Sequence, residues 1–192
     1  MPRAVRGAMA CLALAAAGCG AAGTSAAEVP SAPLIGAPGP VIDAKELAQG
    51  APLTVLVFFS RECHCLKAHD GRLRDLYAAY HPRGVAFAMI DSEARATPEV
   101  DAAEARARAY PFPILLDRGA RVAAALGARY ASYSVVVNAK GRVLYRGGID
   151  SDQTHLRDSS TAYLREALDD LLAGDPLRRP ATEALGCSLE TW

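Results

Sequence analysis

Residues 58–67 read Phe58-Phe59-Ser60-Arg61-Glu62-Cys63-His64-Cys65-Leu66-Lys67 and close an apolar, β-branched run that begins at Leu53. The run from Leu53 to Phe59 has the length and composition of a buried strand. It ends in a polar turn that carries two cysteines one residue apart. A helical pattern starts directly behind them, with apolar residues at 66, 73, 76, 77 and 80 and Lys67, Arg72, Arg74 and Asp75 between. A strand that delivers a thiol to the start of a helix is an arrangement for thiol chemistry. The partial positive charge there favours the thiolate, which is the reactive form.

The chain continues in alternation. His81-Pro82-Arg83-Gly84 ends the helix, and Val85 to Ile90 reads as a second buried strand. Pro98 to Tyr110 is helix-like, Phe112 to Leu116 a short strand, and Arg118 to Leu126 a helix closed by Gly127. Ser134 to Val137, a turn at 138–141, and Arg142 to Tyr145 form a β-hairpin pattern. Leu164, Ala167, Leu168, Leu171 and Leu172 repeat at helical spacing, and Gly174 and Pro176 stop that helix. The order β-α-β-α-β-α-β-β-α predicts an α/β fold with a mixed central sheet and helices on both faces. The cysteine turn then falls at the C-terminal end of a central strand, where open α/β sheets keep their sites.

The ends of the chain read differently. Arg3 and Arg6, the apolar stretch from Ala8 to Ala17 and the small residues before Cys19 have the form of an export signal over 1–18. Leu14-Ala15-Ala16-Ala17-Gly18-Cys19 resembles the lipobox of bacterial lipoproteins, which implies lipidation of Cys19. Gly20 after the anchor, by resemblance to the enterobacterial sorting pattern, implies the outer membrane, facing the periplasm. Residues 19–40, rich in Ala, Gly, Ser and Pro, are expected to be a flexible tether, 41–174 the folded domain, and 175–192 a tail without periodicity. Loss of 1–18 removes two arginines and no acid, leaving 19 basic against 21 acidic residues. That balance, with no run of like charge, gives no reason to expect nucleic-acid binding.

The element order, together with Phe58-Phe59-Ser60-Arg61-Glu62-Cys63 at a strand end, resembles the thioredoxin fold. More narrowly it resembles the redoxin group, which includes alkyl hydroperoxide reductase/thiol-specific antioxidant proteins and TlpA-type envelope thioredoxins. Pro111-Phe112-Pro113-Ile114-Leu115-Leu116-Asp117, Leu126-Gly127-Ala128, the stretch from Gly141 to Asp150 and Gly186-Cys187-Ser188-Leu189 carry the same resemblance. It implies a thiol–disulfide oxidoreductase without a cofactor, acting on protein thiols and disulfides and recharged by an envelope thiol reductant. A thiol peroxidase, a copper- or zinc-binding chaperone and a non-catalytic binding module are the alternatives. Three positions depart from the pattern. Leu66 stands where C-x-x-C would have its second cysteine. Ser60 occupies the peroxiredoxin Ser/Thr position, but without the proline that should precede it. Ser132 stands where thioredoxin-like proteins carry a cis-proline, so a trans peptide is expected there.

Three mature-chain cysteines remain besides Cys19. Cys63 is the candidate nucleophile, with Arg61 and Lys67 as nearby cations. Cys65 is a candidate partner, reachable only if Cys63 lies off the helix, since helix residues two apart diverge. Cys187 is a candidate resolving thiol if the tail folds back, with Trp192 as an apolar anchor. His64, and His69 four residues after Cys65, are the candidate imidazoles of a metal site, with His155 more distant; a functional metal is not the favoured reading. Acyl labelling and membrane association should both be lost in Cys19→Ser. A wild-type protein found wholly in the soluble fraction would contradict the anchor.

Overall fold

The structure, a computed structural model, describes Met1 and residues 27–191. The rest of the signal-like segment, Cys19 and Trp192 lie outside the described residues. Strands β1 (Pro33–Ile35) and β2 (Val41–Asp43) lead into helix α1 (Ala44–Gln49), whose first turn is capped by the Asp43 carboxylate accepting from Lys45 N–H at 2.9 Å. Then come β3 (Leu53–Phe59), α2 (His64–Ala68), α3 (Asp70–Tyr80), β4 (Val85–Asp91) and α4 (Pro98–Ala107). The order closes with β5 (Ile114–Leu116), α5 (Arg121–Leu126), β6 (Ser134–Asn138), β7 (Val143–Gly147) and α6 (Tyr163–Ala173).

These strands make one seven-stranded sheet in the order β2-β1-β5-β4-β3-β6-β7. β3 runs parallel to β4 and antiparallel to β6, so both its edges are paired. Its side chains alternate between two cores. Val55, Val57 and Phe59 pack with Leu73, Leu76 and Tyr80 of α3 and Leu164 and Leu168 of α6. Leu56 and Phe58 pack with Ala44 and Ala48 of α1 and Val122 and Leu126 of α5. A strand buried on both faces needs the unbroken apolar run that the sequence has. The mixed sheet with helices on both faces is the predicted α/β, thioredoxin-like architecture.

Three boundaries differ from the sequence reading. The expected tether is part of the fold over its described length. Val29 N–H donates to Gly141 O (2.8 Å), β1 pairs with β5 through Ile35 and Leu116, and Leu34 is fully buried in the second core. Composition correctly indicates an extended segment. It does not reveal a three-residue strand that adds to a sheet edge and buries a leucine, which favours docking by about 2 kcal/mol. The tail, second, is laid along the domain: Thr182 N–H donates to Arg146 O and Leu189 N–H to Arg129 O. Third, the helix expected from Leu66 is broken at His69. The His69 ring takes the Cys65 carbonyl (Nδ1–O 2.7 Å), the acceptor that its own backbone N–H would use in a continuous helix, and that N–H turns to Leu66 O.

Candidate active site

The last residue of β3 is Phe59, and the chain leaves the sheet through Ser60, Arg61 and Glu62. Cys63 is the N-cap residue of α2, extended in backbone (φ −75°, ψ 105°), and so lies off the helix. Cys65 sits within α2. The tail supplies the third sulfur. The Sγ atoms of Cys63, Cys65 and Cys187 all lie within 4.8 Å of one another, as free thiols. Cys63 is fully buried, Cys65 buried and Cys187 half-buried.

The tail reaches this position by strand addition. Ala131 N–H donates to Cys187 O (2.9 Å) and Leu189 N–H to Arg129 O (2.9 Å), making an antiparallel bridge between Tyr130 and Ser188. Ala94 N–H then holds Glu190 O at 2.9 Å. Gly186 makes the close approach possible, since a Cβ there would stand 1.8 Å from Ala131 O. Leu189 packs against both cores, and Trp192, the anchor expected from sequence, lies outside the described residues. Ser132 keeps a trans peptide and adopts φ 72°. It is held by its N–H to Phe58 O (2.9 Å) and by its hydroxyl to Leu185 O (3.4 Å).

Two backbone N–H groups converge on Cys63 Sγ: Leu66 N–H from α2 and Cys187 N–H from the tail, each at 3.4 Å. Donors aimed at a sulfur favour negative charge on it. The cations expected from sequence do not have this role. Arg61 is exposed and pairs with Glu62 (3.0 Å), and Lys67 is exposed. Burial pushes the Cys187 thiol up to about 12, and the hydrogen bond and charge of Cys63 add to that. Cys65 is raised by burial and then by the same charge. Cys63 is therefore the sulfur on which two N–H donors converge, while the thiols of Cys65 and Cys187 are both pushed up.

The histidines lie elsewhere. His64 and His155 are exposed, and among the described residues no imidazole joins the sulfur cluster. His69 is buried with both ring nitrogens committed, Nδ1 to Cys65 O and Nε2 to Asp150 Oδ1 at 3.0 Å. Both partners only accept, so the ring carries both protons. Asp150 also takes Arg72, which reaches Asp152 at 3.2 Å, and Asp152 takes Arg157 at 2.8 Å. This chain of charges fixes the Cys65 carbonyl from behind. Sequence reading missed Asp150, Asp152 and Arg72 as a unit, because Asp150 lies 81 positions beyond His69 and 78 beyond Arg72, with no local spacing signal.

Residues 22–164 match the model of the Redoxin family, and the chain belongs to that family. No curated protein matches it. Among solved structures it is similar to an uncharacterised conserved protein from Geobacillus kaustophilus, at 27% identity over 87% of this chain and 91% of that one, TM-score 0.77. It is also similar to a protein of Sinorhizobium meliloti 1021 described as hypothetical, at 25% identity over 87% and 94%, TM-score 0.78. A thiol:disulfide interchange protein from Bacteroides sp. shares the fold at 13% identity over 63% and 79%, TM-score 0.53. The family match ends before Cys187.

The His69–Asp150 pair makes stability depend on pH. Burial works against charge on His69, but the hydrogen bonds to Asp150 and Cys65 outweigh it and the pKa is raised. Burial likewise pushes Asp150 up, and hydrogen bonds from His69 and Arg72 bring it below the usual carboxylate range. The His69 contribution is complete below its unfolded value of about 6.5 and is lost as pH rises through the raised folded value. The Asp150 contribution is complete above its unfolded value of about 3.9 and is lost as pH falls through the lowered folded value. Unfolding free energy from urea titrations should therefore fall more steeply above about pH 6.5 in the wild type than in His69→Gln. Identical slopes would mean an uncharged ring. Asp150→Asn should cost about 3 kcal/mol or more, because it leaves a buried charge unpaired.

Proposed function

We propose that the protein is a thiol–disulfide oxidoreductase of the bacterial cell envelope in which Cys63 attacks and a neighbouring thiol, Cys187 or Cys65, resolves. The observation that carries this reading is the convergence of two thiols, Cys65 and Cys187, on the Cys63 sulfur, to which two backbone N–H groups donate. Redoxin membership supports thiol chemistry. The envelope location rests on the signal-like residues 1–18 and on Cys19.

The steps follow from thiol–disulfide exchange. The Cys63 thiolate attacks one sulfur of a substrate disulfide. The substrate S–S bond breaks, its other sulfur leaves as a thiolate and takes a proton, and Cys63 is held in a mixed disulfide. Cys187 or Cys65 then loses its proton and attacks Cys63 Sγ, releasing the second substrate thiol and leaving an internal disulfide. An envelope thiol reductant returns two electrons and two protons. The charge on Cys63 is part of what keeps its neighbours protonated. Capture of Cys63 in a mixed disulfide removes that contribution and so eases loss of the resolving thiol's proton, although burial, the larger cause, remains.

Access requires the tail to move, because Cys63 is fully buried beneath it. Three backbone hydrogen bonds, from Ala131, Leu189 and Ala94, hold residues 187–190. At about 1 kcal/mol net each, that grip is weak enough for the segment to lift while the sheet stays intact.

Exchange kinetics with a disulfide-bonded protein substrate test the assignment. Cys63→Ala should abolish turnover. Cys65→Ala should keep turning over through Cys187. Cys65→Ala/Cys187→Ala should stop at a stoichiometric mixed disulfide on Cys63. Turnover that survives in Cys63→Ala would overturn the proposal. Hydrogen peroxide that oxidises Cys63 to a sulfenic acid faster than any protein disulfide reacts would replace it with a peroxidase.

A further inference from the structure

We propose that the fully reduced chain binds one Cu(I) ion between the sulfurs of Cys63, Cys65 and Cys187. Three points no more than 4.8 Å apart share a centre within about 2.8 Å of each, against a metal–thiolate bond of ~2.3 Å for a d10 ion such as zinc. Each sulfur thus needs to move about half an ångström, which small side-chain rotations supply. The three come from an N-cap, a helix and a tail strand, so they approach one centre from different directions.

The donor set selects the ion. Soft thiolates favour Cu(I) or zinc. Structural zinc takes four ligands, and among the described residues no histidine or carboxylate joins the cluster as a fourth. His64 is exposed, and His69 is bound on both nitrogens elsewhere. Cys63 and Cys65 are buried within the first core, which also holds Phe59, Leu66 and Ala131, so the surroundings offer little room for a water ligand. Three sulfurs with no fourth partner suit a three-coordinate monovalent ion.

Binding changes no oxidation state. The bonds from Cu(I) to its chelate break, three Cu–S bonds form, and whatever protons the three thiols still hold leave to solvent. The backbone N–H groups of Leu66 and Cys187 stay as donors to Cys63 Sγ and offset part of the negative charge left on the sulfurs. Any internal disulfide consumes two of the ligands, so copper loading and thiol exchange exclude each other. The site depends on the tail being docked, which is the opposite of what substrate access requires.

The test is an anaerobic titration of the reduced full-length protein with Cu(I) against a chromogenic chelator. The wild type should bind one equivalent, and X-ray absorption should find the copper three-coordinate with sulfur. Cys187→Ser should bind roughly 100-fold more weakly and become two-coordinate, since the third thiolate acts at high effective concentration. His64→Ala should bind as the wild type does. Two-coordinate copper in the wild type, equal affinity in Cys187→Ser, or weakened binding in His64→Ala would each overturn the site. The titration needs no turnover, so its failure leaves the exchange reaction standing, and failed exchange leaves the titration readable.

Discussion

The sulfur of Cys63 accepts two backbone N–H groups from opposite ends of the domain, and the rest of the site depends on that convergence. The Leu66 donor is local. It follows from a strand that stops at Phe59, a three-residue turn and a helix whose N-cap is the cysteine itself. The Cys187 donor is distant by 124 positions and exists only because the tail adds to the backbone at 129–131. That edge is available because Ser132, at φ 72°, turns the chain into β6, which pairs with β3. Sheet order, turn geometry and the glycine at 186 are thus all committed to bringing one sulfur to another.

The charges are kept to one side of this arrangement. His69, Asp150, Arg72, Asp152 and Arg157 form a paired chain that meets the site only through the carbonyl of Cys65. The sulfurs lie on the apolar side, with Leu66, Phe59 and Ala131 in the same core. A buried charge next to the thiols would fix which of them ionises. Backbone N–H groups single out the Cys63 sulfur without adding a net charge to the site.

Much of this was legible in the sequence, and what was not has definite reasons. The run Leu53 to Phe59 reads as a buried strand, and the alternation behind it suggests a mixed α/β sheet. Divergence of residues two apart puts Cys63 off the helix on the condition that it bonds Cys65, and the structure has it there as the N-cap. The first strand escaped notice because three residues that begin with a proline and have three more nearby give no alternation, and a pairing partner lies at Leu116. The break at His69 was invisible because a ring replaces a backbone donor, which spacing does not encode. The meeting of Cys187 with Cys63 needed a tertiary contact across the whole domain. Sequence offered only an odd number of cysteines and a tail that could fold back.

The most direct test of the central claim is to map the first disulfide that forms when the reduced full-length protein receives one equivalent of a disulfide oxidant and is quenched in acid within the first turnover. If the sulfur that takes both N–H donors is the attacking one, the first internal bond contains Cys63, joined to Cys187 or to Cys65. A Cys65–Cys187 bond that forms first, with Cys63 still a free thiol, would contradict the account.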